Sequence, residues 1–229
     1  MDLGVLEARL KSFYDLRASE EPARDPEAQL RFRKAARVAA LQDGERVLDL
    51  GAKWGGLAAV IRNLGIAVDY TGFDVSEPNV AAASEAGLRF VQGDVTQPLP
   101  FSDDSFDCVF ALELLEHLTV PVALLVEIGR VLTASGCLVV SGPSPYNWVE
   151  LLRELFGRHD PEGHLNAFTT PVMTNLAALA GLRVDGRWGT SLRILKTMFL
   201  LPTNGILARS RIYRLTPTAE VAFAGRPMH

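Results

Sequence analysis

Between residues 46 and 142 the chain alternates short apolar runs with longer amphipathic ones, and Gly, Pro or Asp marks most junctions. RVLDL (46–50), VDYTGFD (68–74), LRFVQGD (88–94), FDCVFAL (106–112) and GCLVVSG (136–142) have the length and composition of strands. GLAAVIRNL (56–64), EPNVAAASEA (77–86) and PVALLVEIGRVL (121–132) have helical spacing; Gly65 closes the first, and Pro78 stands early in the second, where its missing N–H costs little. Five strands alternating with helices predict a parallel sheet wound on both faces, because right-handed crossovers pack each helix back onto the sheet. The fifth run is continuously apolar, as a strand buried on both faces requires.

The flanking stretches differ in character. PEAQLRFRKAARVAALQDG, from Pro26 to Gly44, reads as an amphipathic helix that covers one sheet face, so residues 1–44 form an N-terminal helical cover over a core at 45–142. Residues 143–200 read as a substrate-facing insertion followed by two final strands, LRVDGRW and LRILKTMFLL, with a helix TPVMTNLAALAG capped by Thr170 before them. Residues 201–229 read as a basic tail: from 182 onward the chain holds 8 basic and 2 acidic side chains, although its net charge is −4. All of this fits a single domain of 229 residues, long enough to bury a core without disulfides or metal.

Composition removes several classes. With 48% hydrophobic and 22% charged residues, the chain is neither disordered nor fibrous. Its acidic balance gives no reason to expect nucleic acid, which requires clustered Lys and Arg. Cys108 and Cys137 each lie inside an apolar run and read as free buried thiols, which favours a cytoplasmic setting. Charges at Asp2, Glu7 and Arg9 interrupt any signal-peptide core, and no window is apolar enough to span a membrane. No cluster of His, Cys and acid has metal-ligand spacing along the sequence, so no metal is expected.

In a doubly wound sheet, ligands bind beyond the carboxyl ends of the strands. Those ends carry DLGAKWGG from Asp49, then Asp74, Asp94 and the segment ALELLEH from Ala111 to His117. Gly51 and Gly55 permit a tight turn with close backbone approach, and Asp74 is placed to accept hydrogen bonds from ribose hydroxyls. A nucleoside ligand follows, but not a dinucleotide: the G-x-G-x-x-G fingerprint fails at Lys53, and Asp49 would repel a pyrophosphate while suiting an ammonium or sulfonium charge.

These segments, taken in order, resemble the class I S-adenosylmethionine-dependent methyltransferases, and most closely their type 11 group. VLDLGAKWGG, DYTGFDVS and FVQGDV are similar to the first three cofactor motifs, and LPFSDDSFDCVFALELLEHL and RVLTASGCLVVSGP to the fourth and fifth strand regions. The resemblance implies a Rossmann-like, doubly wound, seven-stranded sheet, mostly parallel with an antiparallel C-terminal strand and helices on both faces. It further implies S-adenosylmethionine as cofactor, with Asp49, Gly51 and Gly55 around the methionine portion, Asp74 on the ribose, Asp94 and Val95 at the adenine, and Leu112 near the methyl donor. One departure stands out: the family's middle glycine of the first motif is Lys53 here.

Methyl transfer needs no nucleophilic residue, but a hydroxyl or carboxyl acceptor benefits from a base, and histidine suits that role near neutral pH. His117, in LLEHL, and His164, in DPEGHLNAF, are the two candidates; each also has a plain packing or capping reading. Glu113 and Glu116 read as members of a solvated helix face. The functional expectation is methyl transfer to oxygen or nitrogen of a small-molecule, glycan or lipid-linked acceptor, with at most peripheral membrane contact through the basic tail. The alternative is a catalytically silent methyltransferase-like binding or regulatory domain, for which Lys53 is the motive.

Overall fold

The computed structural model describes residues 25–146, 152, 155–157, 163–191, 208–218, 222–223 and 226–227. The cover helix α1 (Pro26–Ala39) begins at Asp25, whose carboxylate accepts the Glu27 N–H at 3.0 Å, and ends at Ala40 in the left-handed region, φ 57°. Its small face, Ala28, Ala35, Ala36 and Ala39, is buried, which lets the helix sit close to the sheet.

The alternating pattern gives β1 (Arg46–Leu50), α2 (Gly56–Asn63), β2 (Asp69–Asp74), α3 (Glu77–Glu85), β3 (Phe90–Gln92), β4 (Phe106–Leu112), α4 (Pro121–Val131) and β5 (Leu132–Pro143). Beyond them lie α5 (Thr170–Leu179), β6 (Leu182–Gly189) and β7 (Ser210–Pro217), with a small separate hairpin of β8 (Ala222–Phe223) and β9 (Arg226–Pro227). The main sheet has seven strands in the order β3-β2-β1-β4-β5-β7-β6. β1 to β5 run parallel, while β7 pairs antiparallel with both β5 and β6. This is the doubly wound, mostly parallel architecture expected, and its direction of winding reverses between β1 and β4.

Each face of the sheet has its own core. Leu48, Leu50, Val109, Leu125, Ile128, Leu138 and Val140 belong to one cluster, and Val47, Leu57, Ile61, Phe110, Cys137, Val139 and Ile212 to the other. Alternate residues of each strand thus enter opposite layers. Cys108 and Cys137 face each other across β4 and β5 as free buried thiols, Sγ to Sγ 3.6 Å. Burial pushes the Cys108 thiol well above its ordinary pKa, so it is inert as a nucleophile.

The C-terminal region departs from expectation. β6 forms where LRVDGRW predicts it, but its partner β7 occupies 210–217, inside the stretch read as a basic tail; the segment 192–201 lies outside the described residues, as do residues 1–24. The reason is that a few buried apolar residues stand among charges. Ile212, Tyr213 and Leu215 are buried, whereas Arg209 pairs with Glu27 at 2.9 Å and Arg214 with Asp185 at 3.2 Å. The cap of α5 is Thr169 rather than Thr170, its hydroxyl accepting the Val172 N–H. No helix among the described residues is long and apolar enough to cross a membrane.

Candidate active site at the carboxyl edge of the sheet

β1 ends in Asp49 and Leu50, and the chain turns at once through Gly51 at φ 68°. The Gly51 and Ala52 N–H groups both donate to the Phe73 carbonyl at the end of β2, so the first-motif loop is stitched to its neighbouring strand. A Cβ on Gly51 would stand 3.2 Å from Leu114, and one on Gly55, φ 86°, would stand 2.3 Å from Leu88. Both positions therefore require glycine for conformation and for space. Gly55 also caps α2 without any side chain, so Asp49 is not a helix cap.

Asp49 is 4% exposed and accepts the Tyr70 hydroxyl at 2.6 Å. Burial raises its pKa from 3.8 to about 7, the Tyr70 hydrogen bond opposes this, and the nearby charge of Asp74 adds to it. A carboxyl held that near neutrality is stabilised as an anion by any cation brought beside it. Asp74, 7% exposed, ends β2 and organises the loop around itself. Its Oδ2 accepts the Lys53 N–H at 2.8 Å, and its Oδ1 accepts the Ser76 N–H at 2.9 Å and the Asn79 amide at 3.4 Å. With two lone pairs on each oxygen, Oδ2 retains one acceptor site.

Lys53 adopts φ 50°, the left-handed conformation a glycine would take at this place in the motif. The loop keeps its geometry, at a backbone cost of about 1–2 kcal/mol. Lys53→Gly is therefore expected to raise stability by about 1 kcal/mol in urea denaturation and to change cofactor affinity less than about threefold. A gain in affinity of tenfold or more would mean that the native loop is distorted.

Asp94 follows β3, is half-buried and accepts the Thr96 N–H at 2.8 Å, closing a turn that presents Val95. Val95 packs against the first core cluster and Leu112 against the second. The sequence-predicted cofactor residues thus lie on the loops and ends of β1 to β4, around the point where the winding reverses.

The turn after β4 holds what the sequence reading missed. Glu113 sits at φ 53°, and its carboxylate accepts the Ser141 hydroxyl at 2.8 Å and the Ser210 hydroxyl at 3.4 Å, with Arg31 at 3.9 Å. A 3₁₀ turn, Leu115–His117, follows, and Glu116 within it has no solvent exposure. Neither acid is on a solvated helix face: the segment is a sharp turn that folds back over β5, so that a Cβ on Gly142 would stand 3.5 Å from the Glu116 carboxylate. The signal available was position, since two acids directly after the strand beside the reversal point are not placed as a surface helix would be.

His164 is brought to this turn by the loop before α5. The N–H groups of Leu165 and Asn166 donate to the Glu116 carbonyl at 2.8 and 3.0 Å, and the Asn166 amide donates to the Leu118 carbonyl at 2.6 Å. The rings of His117 and His164 consequently lie 4.9 Å apart at 38°. Phe168 is 6% exposed inside the first core cluster and anchors this loop, while Phe156 is exposed.

The residues fit S-adenosylmethionine. Glycines whose Cβ positions are already filled bring bare backbone to the turn, the near-neutral Asp49 suits a sulfonium or ammonium group, and Asp74 keeps an acceptor site.

Residues 48–140 match the family described as a methyltransferase domain. The chain is 34% identical over 107 residues to a fatty-acid O-methyltransferase of Mycolicibacterium smegmatis (45% of this chain, 39% of the relative). It is 38% identical over 131 residues to a demethylmenaquinone methyltransferase of Beutenbergia cavernae (56% and 51%) and 32% identical over 136 residues to a phthiotriol/phenolphthiotriol dimycocerosates methyltransferase of Mycobacterium ulcerans (58% and 49%). The chain thus spans about half or less of these relatives' lengths. Among solved structures, its fold is similar to the methyltransferase bound to the Trm112 activator of Haloferax volcanii (TM-score 0.70, 19% identity, 90% of this chain and 95% of that one). It is also similar to the [4+2]-cyclase SpnF (TM-score 0.66, 21% identity, 83% and 81%). The family implies S-adenosylmethionine as the cofactor. Residues 48–140 thus match a methyltransferase domain, and the sheet order that carries them is a fold shared with solved methyltransferases.

Proposed function

We propose that the protein transfers a methyl group from S-adenosylmethionine to an oxygen or nitrogen of a small-molecule, glycan or lipid-linked acceptor. The observation that carries this reading is the pairing of two chemistries on loops that touch. Buried acids end β1 and β2, a histidine pair follows β4, and Leu114 packs against Gly51 between them. Asp49, Gly51 and Gly55 hold the methionine portion, Asp74 the ribose, Asp94 and Val95 the adenine, and Leu112 lines the wall near the methyl donor.

The cofactor supplies an activated methyl group on a sulfonium, so the protein's task is to align the acceptor and exclude water. Asp49 as a carboxylate neutralises cationic charge in a buried place. The imidazoles of His117 and His164 contact the acceptor, and one of them takes the proton of an acceptor hydroxyl. A lipid or lipid-linked acceptor is favoured within this range, because relatives are named as a fatty-acid O-methyltransferase, a demethylmenaquinone methyltransferase and a sterol 24-C-methyltransferase. Contact with a membrane through the basic tail is not part of the reading: Arg209 and Arg214 already pair with Glu27 and Asp185. The free thiols suit a cytoplasmic setting.

A second reading has one observation behind it. The fold also serves the cyclase SpnF, so architecture alone does not dictate methyl transfer, and a silent binding domain remains the competitor. Release of S-adenosylhomocysteine on incubation with fatty-acid, sterol and quinol acceptors separates the two. In the enzyme, His164→Ala is expected to lower turnover at least about tenfold while cofactor affinity stays within about twofold. Undiminished turnover in that variant removes His164 from the chemistry, and no acceptor-dependent product with cofactor bound favours the silent domain.

A further inference from the structure

We infer that Glu116, His117 and His164 form a binding site for a divalent first-row transition ion of the zinc type. One ligand atom from each side chain lies within 4.8 Å of the others. Ligands 2.0–2.2 Å from an ion stand roughly 3.3 Å apart in a tetrahedron, so movements of about one to two ångströms by the two half-buried imidazoles close the triangle. Sequence spacing concealed the site, because two ligands are adjacent in the chain and the third is 47 positions away.

Three features support a built site. The donor set of two imidazole nitrogens and one carboxylate matches zinc, iron, cobalt or manganese rather than calcium or magnesium, which prefer oxygen. The two segments that carry it are tied together at the ligands themselves: the Glu116 carbonyl accepts both the Leu165 and Asn166 N–H groups, and the Leu118 carbonyl accepts the Asn166 amide. Glu116 also presents its carboxylate from a fully buried turn, so this ligand is held in place from within the fold.

Three protein ligands leave coordination positions open, the pattern of catalytic rather than structural ions. This deepens the proposed function and rests on it. The open position would take an oxygen of the acceptor and lower its pKa, favouring hydroxyl or carboxyl acceptors over amines. His117 and His164 would then act as ligands, in place of the general-base role given to one of them above.

The test is calorimetric titration of the metal-free full chain with Zn²⁺, paired with visible spectroscopy of the Co²⁺ form. The expected result is one ion per chain, weakened at least about 100-fold in His164→Ala and in His117→Ala, with far-ultraviolet circular dichroism and S-adenosylmethionine affinity preserved. If His117→Ala does not fold, His164→Ala decides, since its side chain is on a half-buried loop. No stoichiometric binding, equal affinity in the folded His164 variant, or a thiolate-to-cobalt charge-transfer band assigning the ion to Cys108 and Cys137 would overturn the site. Ion binding without S-adenosylmethionine binding would leave the site standing and refute the methyltransferase reading instead.

Discussion

Asp49→Asn is expected to stabilise the protein by up to about 4 kcal/mol at pH 8 and hardly at all near pH 4. In the folded chain burial holds this carboxyl at a pKa of about 7 against an ordinary 3.8. Below the lower value both folded and unfolded chains keep the proton, and the group contributes nothing to pH dependence. Between the two values the unfolded chain releases the proton while the folded chain retains it, so stability falls as pH rises. Above 7 the full penalty of a buried anion is present. Asparagine never ionises and still accepts the Tyr70 hydroxyl, which removes that penalty. Urea denaturation of both proteins at pH 4.5, 6 and 8 reads the widening difference; a gain independent of pH would show that Asp49 is charged throughout. The same substitution is expected to weaken S-adenosylmethionine about tenfold or more at pH 8, because the strained carboxylate is what meets the cationic ligand. Stability given up for binding is the usual signature of a functional acid.

Asp74→Ala should have the largest effect on the cofactor. The carboxylate anchors the Lys53 and Ser76 N–H groups and the Asn79 amide, and these bonds shape the loops on both sides of β2. Hydrogen bonds to a charged group contribute about 1.5–3 kcal/mol each, and removal leaves buried donors without an acceptor. A stability loss of about 2–4 kcal/mol is expected, together with a fall in S-adenosylmethionine affinity of at least about 100-fold from the missing ribose contact and the loosened loop. Asp74→Asn keeps one acceptor oxygen and should fold with intermediate affinity. Near-normal binding by either variant, measured by calorimetry, would confine Asp74 to turn formation.

The sheet was legible because its strands are continuous apolar runs and its helices keep a 3.6-residue spacing, so two periods alternate without ambiguity from 46 to 142. β7 was obscured because three arginines, Arg209, Arg211 and Arg214, interrupt it or flank it, and charge density outweighed the buried apolar residues Ile212, Tyr213 and Leu215. Arg211 is itself 6% exposed, its guanidinium 5.1 Å from the Tyr146 ring centre, a placement that only tertiary contacts supply. The cofactor-side acids stood out by position, since Asp49, Asp74 and Asp94 lie at or just beyond strand ends, while the roles given to Asp49 and Asp94 came from the family resemblance. Glu113 and Glu116 did not. A helical reading of ELLEH put them on water, whereas the chain makes a sharp turn at Glu113 with positive φ, a conformation that a glutamate discloses only in its folded setting. The meeting of His117 with His164 is likewise invisible along the sequence, because it depends on backbone hydrogen bonds from Leu165 and Asn166 to the Glu116 carbonyl.

The central claim is that the loops after β1, β2 and β3 hold S-adenosylmethionine, and calorimetric titration of the folded chain at pH 8 with S-adenosylmethionine and S-adenosylhomocysteine tests it most directly. One site per chain with an affinity on the order of micromolar, tighter at pH 8 than at pH 6 as Asp49 ionises, is the expected result. A folded sample that binds neither compound at millimolar concentration would contradict it.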